Sequence, residues 1–369
     1  VRRRTLLAGL GALAALTACG RQGPFKLGFL AGLSGRTAVT SEDGRNGTIL
    51  AVEQVNLAGG IGGQPMELLV QDNGEDAQAA RGAMQALVAA GVQATVGPFS
   101  STVVQELLPL AEKAGVLMIS PAATAAVLAG RDDAFVMLNP STRELARAYA
   151  ELLWRRGQHR LAVATATDAR NGLYATAWRD DFCRRFADLG GVVTAQQGFA
   201  SDASTAYGEV VRALLDSRPD GLVFACGSVD AVRLAQQARK QAPEMPVTVA
   251  ESAGGEALIA LGGTAVEGIV AGQLHDRSSR VPRYLDFVDA YQARFGRVPG
   301  YHAVLSHDAV TVLAQAQARR NNGESLKQAV LRHGPYDGLQ QPIVLDAFGD
   351  TARAPFFVVV RGGRFEPLR

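Results

Sequence analysis

The residues of this chain best suited to chemistry are small and polar, and they stand where short apolar runs end. Gly97-Pro98-Phe99-Ser100-Ser101-Thr102 offers hydroxyls and the free N–H groups of a helix start, a donor set suited to a carboxylate. The same residues would serve equally as plain N-caps with no ligand. Ser120-Pro121-Ala122-Ala123-Thr124 follows the next apolar run and offers a hydroxyl and exposed carbonyls, although alone it is a generic turn. Glu251 directly follows the run 247–250. A carboxylate there can face an ammonium group, while a solvated surface glutamate would have the same local sequence. Asp72-Asn73 closes the run 66–70 and reads as a turn, with at most a supporting role behind such a site.

No catalytic constellation stands beside these groups. The chain lacks a phosphate-binding P-loop, an H-E-x-x-H and a G-x-S-x-G. The five histidines are scattered, and His302 and His307 would lie roughly 140° apart around a helix, poorly placed to share a metal. The expectation is therefore a protein that is not an enzyme and carries no metal and no cofactor. Lys plus Arg is 37 against 35 Asp plus Glu, so the basic excess typical of nucleic-acid binders is missing. With 369 residues, 47% of them hydrophobic and 20% charged, the chain has the material for about two globular domains.

The elements that must position these residues alternate. Strands are predicted at 26–30, 66–70, 94–96 and 116–120, with helices at 46–56, 76–90 and 102–114, the last carrying Pro109 and expected to kink there. A second series follows. Its helices fall at 141–156, 171–189, 207–217 and 230–242, the first with Ser141 and Glu144 in a capping-box pattern. Its strands fall at 161–165, 192–195, 221–225 and 247–250. Long helical patterns cover 282–295 and 301–319, and 343–360 reads as two strands around 346–350. The rhythm predicts an α/β fold of two doubly wound, Rossmann-like units. In such sheets ligands bind beyond the carboxyl ends of the strands, which is where the polar residues above would lie.

Four strings carry a resemblance: G-F-L-A-G-L-S-G at 28–35, N-G-x-x-L-A-V-E-Q-V-N-L-A-G-G-I-G-G at 46–63, V-G-P-F-S-S at 96–101 and L-M-I-S-P-A-A-T at 117–124. In that order they resemble the leucine/isoleucine/valine-binding protein family, the type I periplasmic solute-binding proteins of ABC transporters. Tyr301-His302-Ala303, His307-Asp308-Ala309-Val310 and P-I-V-L-D-A-F-G-D at 342–350 also fit. The resemblance implies two lobes joined by three crossovers, 25–140 plus 275–335 and 141–274 plus 336–369, closing on a ligand by a hinge. It implies that Ser101 holds a ligand carboxylate, that Ala122 gives its carbonyl to an ammonium, that Thr124 serves both ends, and that Glu251 pairs with the ammonium. Ser100 and Ala123 flank these positions. Thr40, Asn171 and Ser228 stand where aromatic residues are usual, and only Tyr301 keeps an aromatic. That departure predicts a roomier or more polar side-chain pocket, and Arg36 and Arg170 in flanking loops would either favour a polar or acidic side chain or simply be solvated.

The N-terminus reads as a secretory signal. Arg2, Arg3 and Arg4 precede a short apolar run, and Leu16-Thr17-Ala18-Cys19 is similar to a bacterial lipobox, although a plain signal with a chance cysteine would look alike. Lipidation at Cys19, with residues 1–19 as a lipoprotein signal, would anchor the protein to a membrane on its periplasmic or outer face. Arg3-Arg4-Thr5-Leu6-Leu7 also looks like a loose twin-arginine signal. The expected role is capture of a small amino acid and delivery to an ABC permease. The alternative on the same fold is a sensor of amides or urea, or a lipoprotein that activates an envelope enzyme. Cys183 and Cys226 read as small buried hydrophobes rather than a disulfide.

Overall fold

A computed structural model describes residues 23–368 except 75, 169 and 352. The signal segment and Cys19 lie outside the described residues. The first sheet holds β1 (Phe25–Ala31), β2 (Met66–Asp72), β3 (Ala94–Val96), β4 (Leu117–Ser120) and β5 (Phe135–Met137), all parallel, in the order β2-β1-β3-β4-β5. The second holds β6 (Arg160–Ala166), β7 (Val192–Phe199), β8 (Gly221–Ala225), β9 (Val247–Val249) and β10 (Val270–Gln273) in the corresponding order β7-β6-β8-β9-β10. The hairpin β11 (Phe356–Arg361) and β12 (Arg364–Pro367) extends this sheet antiparallel to β10.

Buried parallel strands need apolar residues on both faces, and the first sheet supplies them alternately. Leu27 and Phe29 of β1, Ile119 of β4 and Val136 of β5 pack on one face against α1 (Ala38–Leu57), α10 (Tyr301–Arg319) and α11 (Leu326–Arg332). Leu30, Met118, Phe135 and Met137 pack on the other, against α2 (Ala77–Ala89) and α3 (Ser101–Ala114). The second lobe's core includes Trp178, Phe182 and Phe186 of α5 (Gly172–Asp188), stacked in succession and joined by Tyr149 of α4 (Thr142–Arg155). The helices α6 (Tyr207–Leu215), α7 (Ser228–Gln241) and α8 (Glu256–Gly262) complete it.

The chain passes between the sheets three times, after β5, after β10 and before β11. Residues 336–350, expected with the second lobe, pack on the first instead. Tyr336 and Ile343 join its core, and Asp350 bridges to Met137 of β5. The two strands expected over 343–360 are thus a loop on lobe one followed by the first strand of the terminal hairpin.

α1 begins well before the expected position 46. Its segment Thr-Ser-Glu-Asp-Gly-Arg-Asn-Gly at 40–47 looks like a loop, but tertiary packing overrides propensity. Buried Asp43 accepts from the Tyr291 hydroxyl of α9 (Pro282–Phe295) at 2.9 Å and from the Gly300 and Ala303 N–H groups at 3.1 and 2.9 Å. A Cβ at Gly47 would sit 2.2 Å from the Ala303 carbonyl, so the glycine of the Asn46-Gly47 string lets α1 lie close against α10.

Candidate functional site

A cavity of about 140 Å³ lies between the carboxyl ends of the two sheets. It is near the ~150 Å³ that accommodates a benzene ring in a protein core. From lobe one it is lined by the loop after β1, the start of α1, the turn from β3 into α3 and the loops after β4 and β5. From lobe two it is lined by the turns after β6, β8 and β9.

The lobe-one wall is built on backbone. Gly97 takes φ +98°, and a Cβ there would meet the Leu30 carbonyl at 2.1 Å, so only glycine turns the chain into α3 at this point. The turn brings Ser101 to the first residue of α3, where its buried hydroxyl accepts from the Thr124 and Ala125 N–H groups, each at 3.1 Å. With its lone pairs so used, the Ser101 proton is left to donate. Ser120 braces the same loop by donating to the Pro98 carbonyl at 2.6 Å and accepting from Ala123 N–H at 2.9 Å. Among the described residues, three buried side-chain atoms of this wall have no partner: Ser41 Oγ, Thr124 Oγ1 and Asn139 Oδ1.

The lobe-two wall is built on carboxylates. Glu251 is 4% exposed; its Oε1 accepts from the Tyr174 hydroxyl at 2.7 Å and its Oε2 from Trp178 Nε1 at 3.0 Å. Burial pushes its carboxyl up, while these bonds act in the opposite direction. Asp230, 1% exposed at the start of α7, accepts from Ser201 Oγ at 2.6 Å, from the Tyr207 hydroxyl and from the Arg36 guanidinium. That last pair joins the lobes. So do the Tyr301 hydroxyl, donating to the Glu251 carbonyl at 2.9 Å, and Ser100 Oγ and Thr102 Oγ1, donating to the Arg170 carbonyl at 3.2 and 3.3 Å. Phe99, Tyr174, Tyr301 and His302 supply the aromatic surface, with His302 stacked on Phe99 at 5.9 Å.

Donors at a helix start on one lobe therefore face a held carboxylate on the other, across a cleft of two matching sheets. The family model described as periplasmic binding protein matches residues 24–364. The chain belongs to the periplasmic binding protein family. Among curated relatives of this periplasmic binding protein is the leucine-, isoleucine-, valine-, threonine- and alanine-binding protein of Pseudomonas aeruginosa, 23% identical over 90% of this chain and 88% of that one. Another is the leucine-specific-binding protein of Salmonella typhimurium, 23% identical over 97% and 96%. Among solved structures, the branched-chain amino acid transporter substrate-binding protein of Streptococcus pneumoniae in complex with isoleucine superposes with a TM-score of 0.84 at 22% identity, covering 93% of this chain and 98% of that one. A solute-binding protein of R. palustris in complex with benzoate superposes with a TM-score of 0.83 at 18% identity, covering 94% and 96%. These likenesses show the fold of ABC-transporter substrate-binding proteins, and the relatives are solute binders rather than enzymes.

Of the residues expected to line the site of this periplasmic binding protein, Ser100, Ser101, Ala122, Thr124, Glu251, Thr40, Asn171, Ser228 and Tyr301 all border the cavity. Ala123 does not; it is 1% exposed in the core of lobe one, held by its bond to Ser120. The Thr124 N–H is taken by Ser101, which leaves Thr124 its hydroxyl for a ligand. Arg36 and Arg170 both line the cavity rather than lying free in solvent. Asp72 accepts from Leu33 N–H at 2.9 Å in the loop that leads to Arg36, and Asn73, read with it as a turn, itself lines the cavity. The sequence reading missed Ser41, Asn139, Phe99, Tyr174, Asp230 and His302 as lining residues. Phe99 and His302 stood inside strings already singled out. Tyr174 lies one turn beyond Asn171 on α5, which partly replaces the aromatic surface expected to be missing. Cys183 and Cys226 are both free thiols, Cys226 buried and Cys183 half-buried, in keeping with their reading as packing residues.

Proposed function

We propose that this protein is the extracytoplasmic receptor of an ABC importer, capturing a small α-amino acid between its lobes and presenting the closed form to a membrane permease. The observation that carries this reading is the pairing of opposite chemistries across one small cavity. A zwitterion needs hydrogen-bond donors for its carboxylate and acceptors for its ammonium. The Ser101 hydroxyl and the start of α3 supply the first; the Glu251 carboxylate, with the Ala122 carbonyl beside the cavity, supplies the second. Glu251 has two of its roughly four acceptor positions filled, so a ligand ammonium can still be received. A buried carboxylate facing the site also favours an amino acid over a simple acid such as benzoate, which would leave that charge uncompensated. In this reading Cys19 is lipidated and residues 20–24 tether the folded lobes to the membrane.

Thermal unfolding against a panel of amino acids, amides, urea and small carboxylates tests the proposal. A ligand at one hundred times its dissociation constant adds about 2.7 kcal/mol, a clear shift. A response confined to amino acids supports the transport receptor. A response confined to amides or urea would favour the sensor role instead, and a flat panel, repeated on refolded protein to remove retained ligand, the partner-activating role. For the anchor, a Cys19→Ser variant should partition to the soluble fraction while the parent stays with membranes.

A further inference from the structure

The relatives named above are named for, or hold, leucine, isoleucine, valine, threonine, alanine or benzoate, and in this cavity small polar residues stand beside the aromatic surface. Resting on the amino-acid reading, we infer that the ligand's side chain is neutral and hydrogen-bonding, of the carboxamide type, rather than branched aliphatic or charged. Two independent sets of observations lead there.

The first concerns unpartnered atoms. Ser41 and Asn139, each 1% exposed, line the cavity, and among the described residues neither Ser41 Oγ nor Asn139 Oδ1 has a hydrogen-bond partner. The Asn139 amide is fixed by its Nδ2, which donates to the Pro121 carbonyl, so Oδ1 is an acceptor in want of a donor. Ser41 can donate or accept. A carboxamide brings both an N–H and a carbonyl to such a pair, whereas a leucine side chain would seal two polar atoms away from any partner. Thr40, Asn171 and Ser228 add further small polar groups to the same lining.

The second concerns charge. The Arg36 guanidinium is already balanced by Asp230. Arg170 stands 3.4 Å from Asp168 and donates to the Ser201 carbonyl at 2.8 Å. Glu251 is reserved for the ligand ammonium and the α3 terminus for its carboxylate. A charged side chain would therefore add one uncompensated charge to a small closed cavity. Groups that reject both an apolar and an ionic side chain select a neutral polar one.

Leucine, asparagine and aspartate share one branched side-chain skeleton, so titrating the full-length protein with each by calorimetry separates the cases. The expected result is asparagine binding about 100-fold or more tightly than leucine and aspartate, because a site built for a polar group strongly disfavours the isostere lacking it. Ser41→Ala should narrow the asparagine-to-leucine ratio about tenfold; a ratio that stays intact overturns the assignment of this wall. Leucine binding as tightly as asparagine overturns the inference but leaves the amino-acid receptor standing, and tightest binding of aspartate overturns its neutrality. If none of the panel's amino acids binds, the receptor reading itself falls, and this inference with it.

Discussion

The two walls of the cavity are completed to different degrees. On lobe two each oxygen of Glu251 and Asp230 already has a donor: Tyr174 and Trp178 for the first, Ser201, Tyr207 and Arg36 for the second. On lobe one Ser41, Thr124 and Asn139 each keep a buried atom without a partner among the described residues. The physical reason lies in what each wall must bury. An unpaired carboxylate in a closed cavity costs far more than an unpaired hydroxyl or amide, so charges have to be solvated by fixed protein dipoles before any ligand arrives. Neutral groups can wait for the ligand to complete them. The contrast assigns affinity mainly to the charge held by lobe two and selectivity mainly to the open groups of lobe one.

The sharpest way to break that division is Glu251→Gln. The substitution keeps the shape and removes the charge that faces the ammonium, so amino-acid binding should weaken by about 2–5 kcal/mol in calorimetry. A loss of less than tenfold would mean that the charge of lobe two does not carry affinity. The same carboxyl predicts a pH dependence of binding. Burial holds it above the usual carboxylate range, so acidification protonates it early and affinity should fall at a higher pH than an exposed glutamate would give.

Lobe one is acid-sensitive in the same direction, but through its fold rather than through ligand binding. His302 and His307, both buried on α10, are pulled down to about 3 and about 4 by desolvation. The unfolded chain protonates them near 6.5, so it takes up protons that the folded chain refuses. Their contribution is intact above that value and is lost as pH falls, by about 2 kcal/mol for each histidine at pH 5. His302→Phe, which keeps a ring against Phe99, should shrink the difference in stability between pH 7 and pH 5 by about that amount. An unchanged pH slope in this variant would place the acid sensitivity elsewhere.

Ser101→Ala tests whether lobe one contributes geometry as well as contact. Its hydroxyl accepts two buried N–H groups of the loop after β4 and keeps a proton for the ligand. Affinity should fall by about 1–3 kcal/mol, and the melting temperature should fall with it, because Thr124 and Ala125 lose their acceptor. A loss of affinity at unchanged melting temperature would show that the hydroxyl does not organise the wall.

How much of this was legible in the sequence follows the same physical lines. The helices at 282–295 and 301–319 are found at their observed bounds, since each carries a clear start and the first is closed by Gly296 in the left-handed conformation. The strands β5 and β10 escaped notice because three or four wholly buried residues, F-V-M in one and V-A-G-Q in the other, carry no periodicity. Backbone-built features of the site, Ser101 and Thr124, announced themselves through their strings. Asp230 and Tyr174 did not, because each lies inside an ordinary helical pattern and gains its place only when α5 and α7 are packed against the cleft. The unpartnered state of Ser41 and Asn139 is a property of the packed structure alone.

The smallest effect concerns the contact that joins the two walls. Arg36 reaches from lobe one to Asp230 on lobe two, so this ion pair exists only while the lobes meet. The Arg36 side chain is 24% exposed, which screens the attraction, and the Tyr301 and Arg170 contacts also cross the cleft. Arg36→Met leaves Asp230 held by Ser201 and Tyr207, so the carboxylate is not stranded. The expected loss is about 1 kcal/mol or less, read as a few-fold faster ligand release with little change in the association rate. The effect should diminish at high salt, as screening already weakens the pair in the parent. If Arg36→Met instead slowed association and left release untouched, the pair would guide entry rather than hold closure, and the division between a charged wall and an open wall would extend to the path by which the ligand arrives.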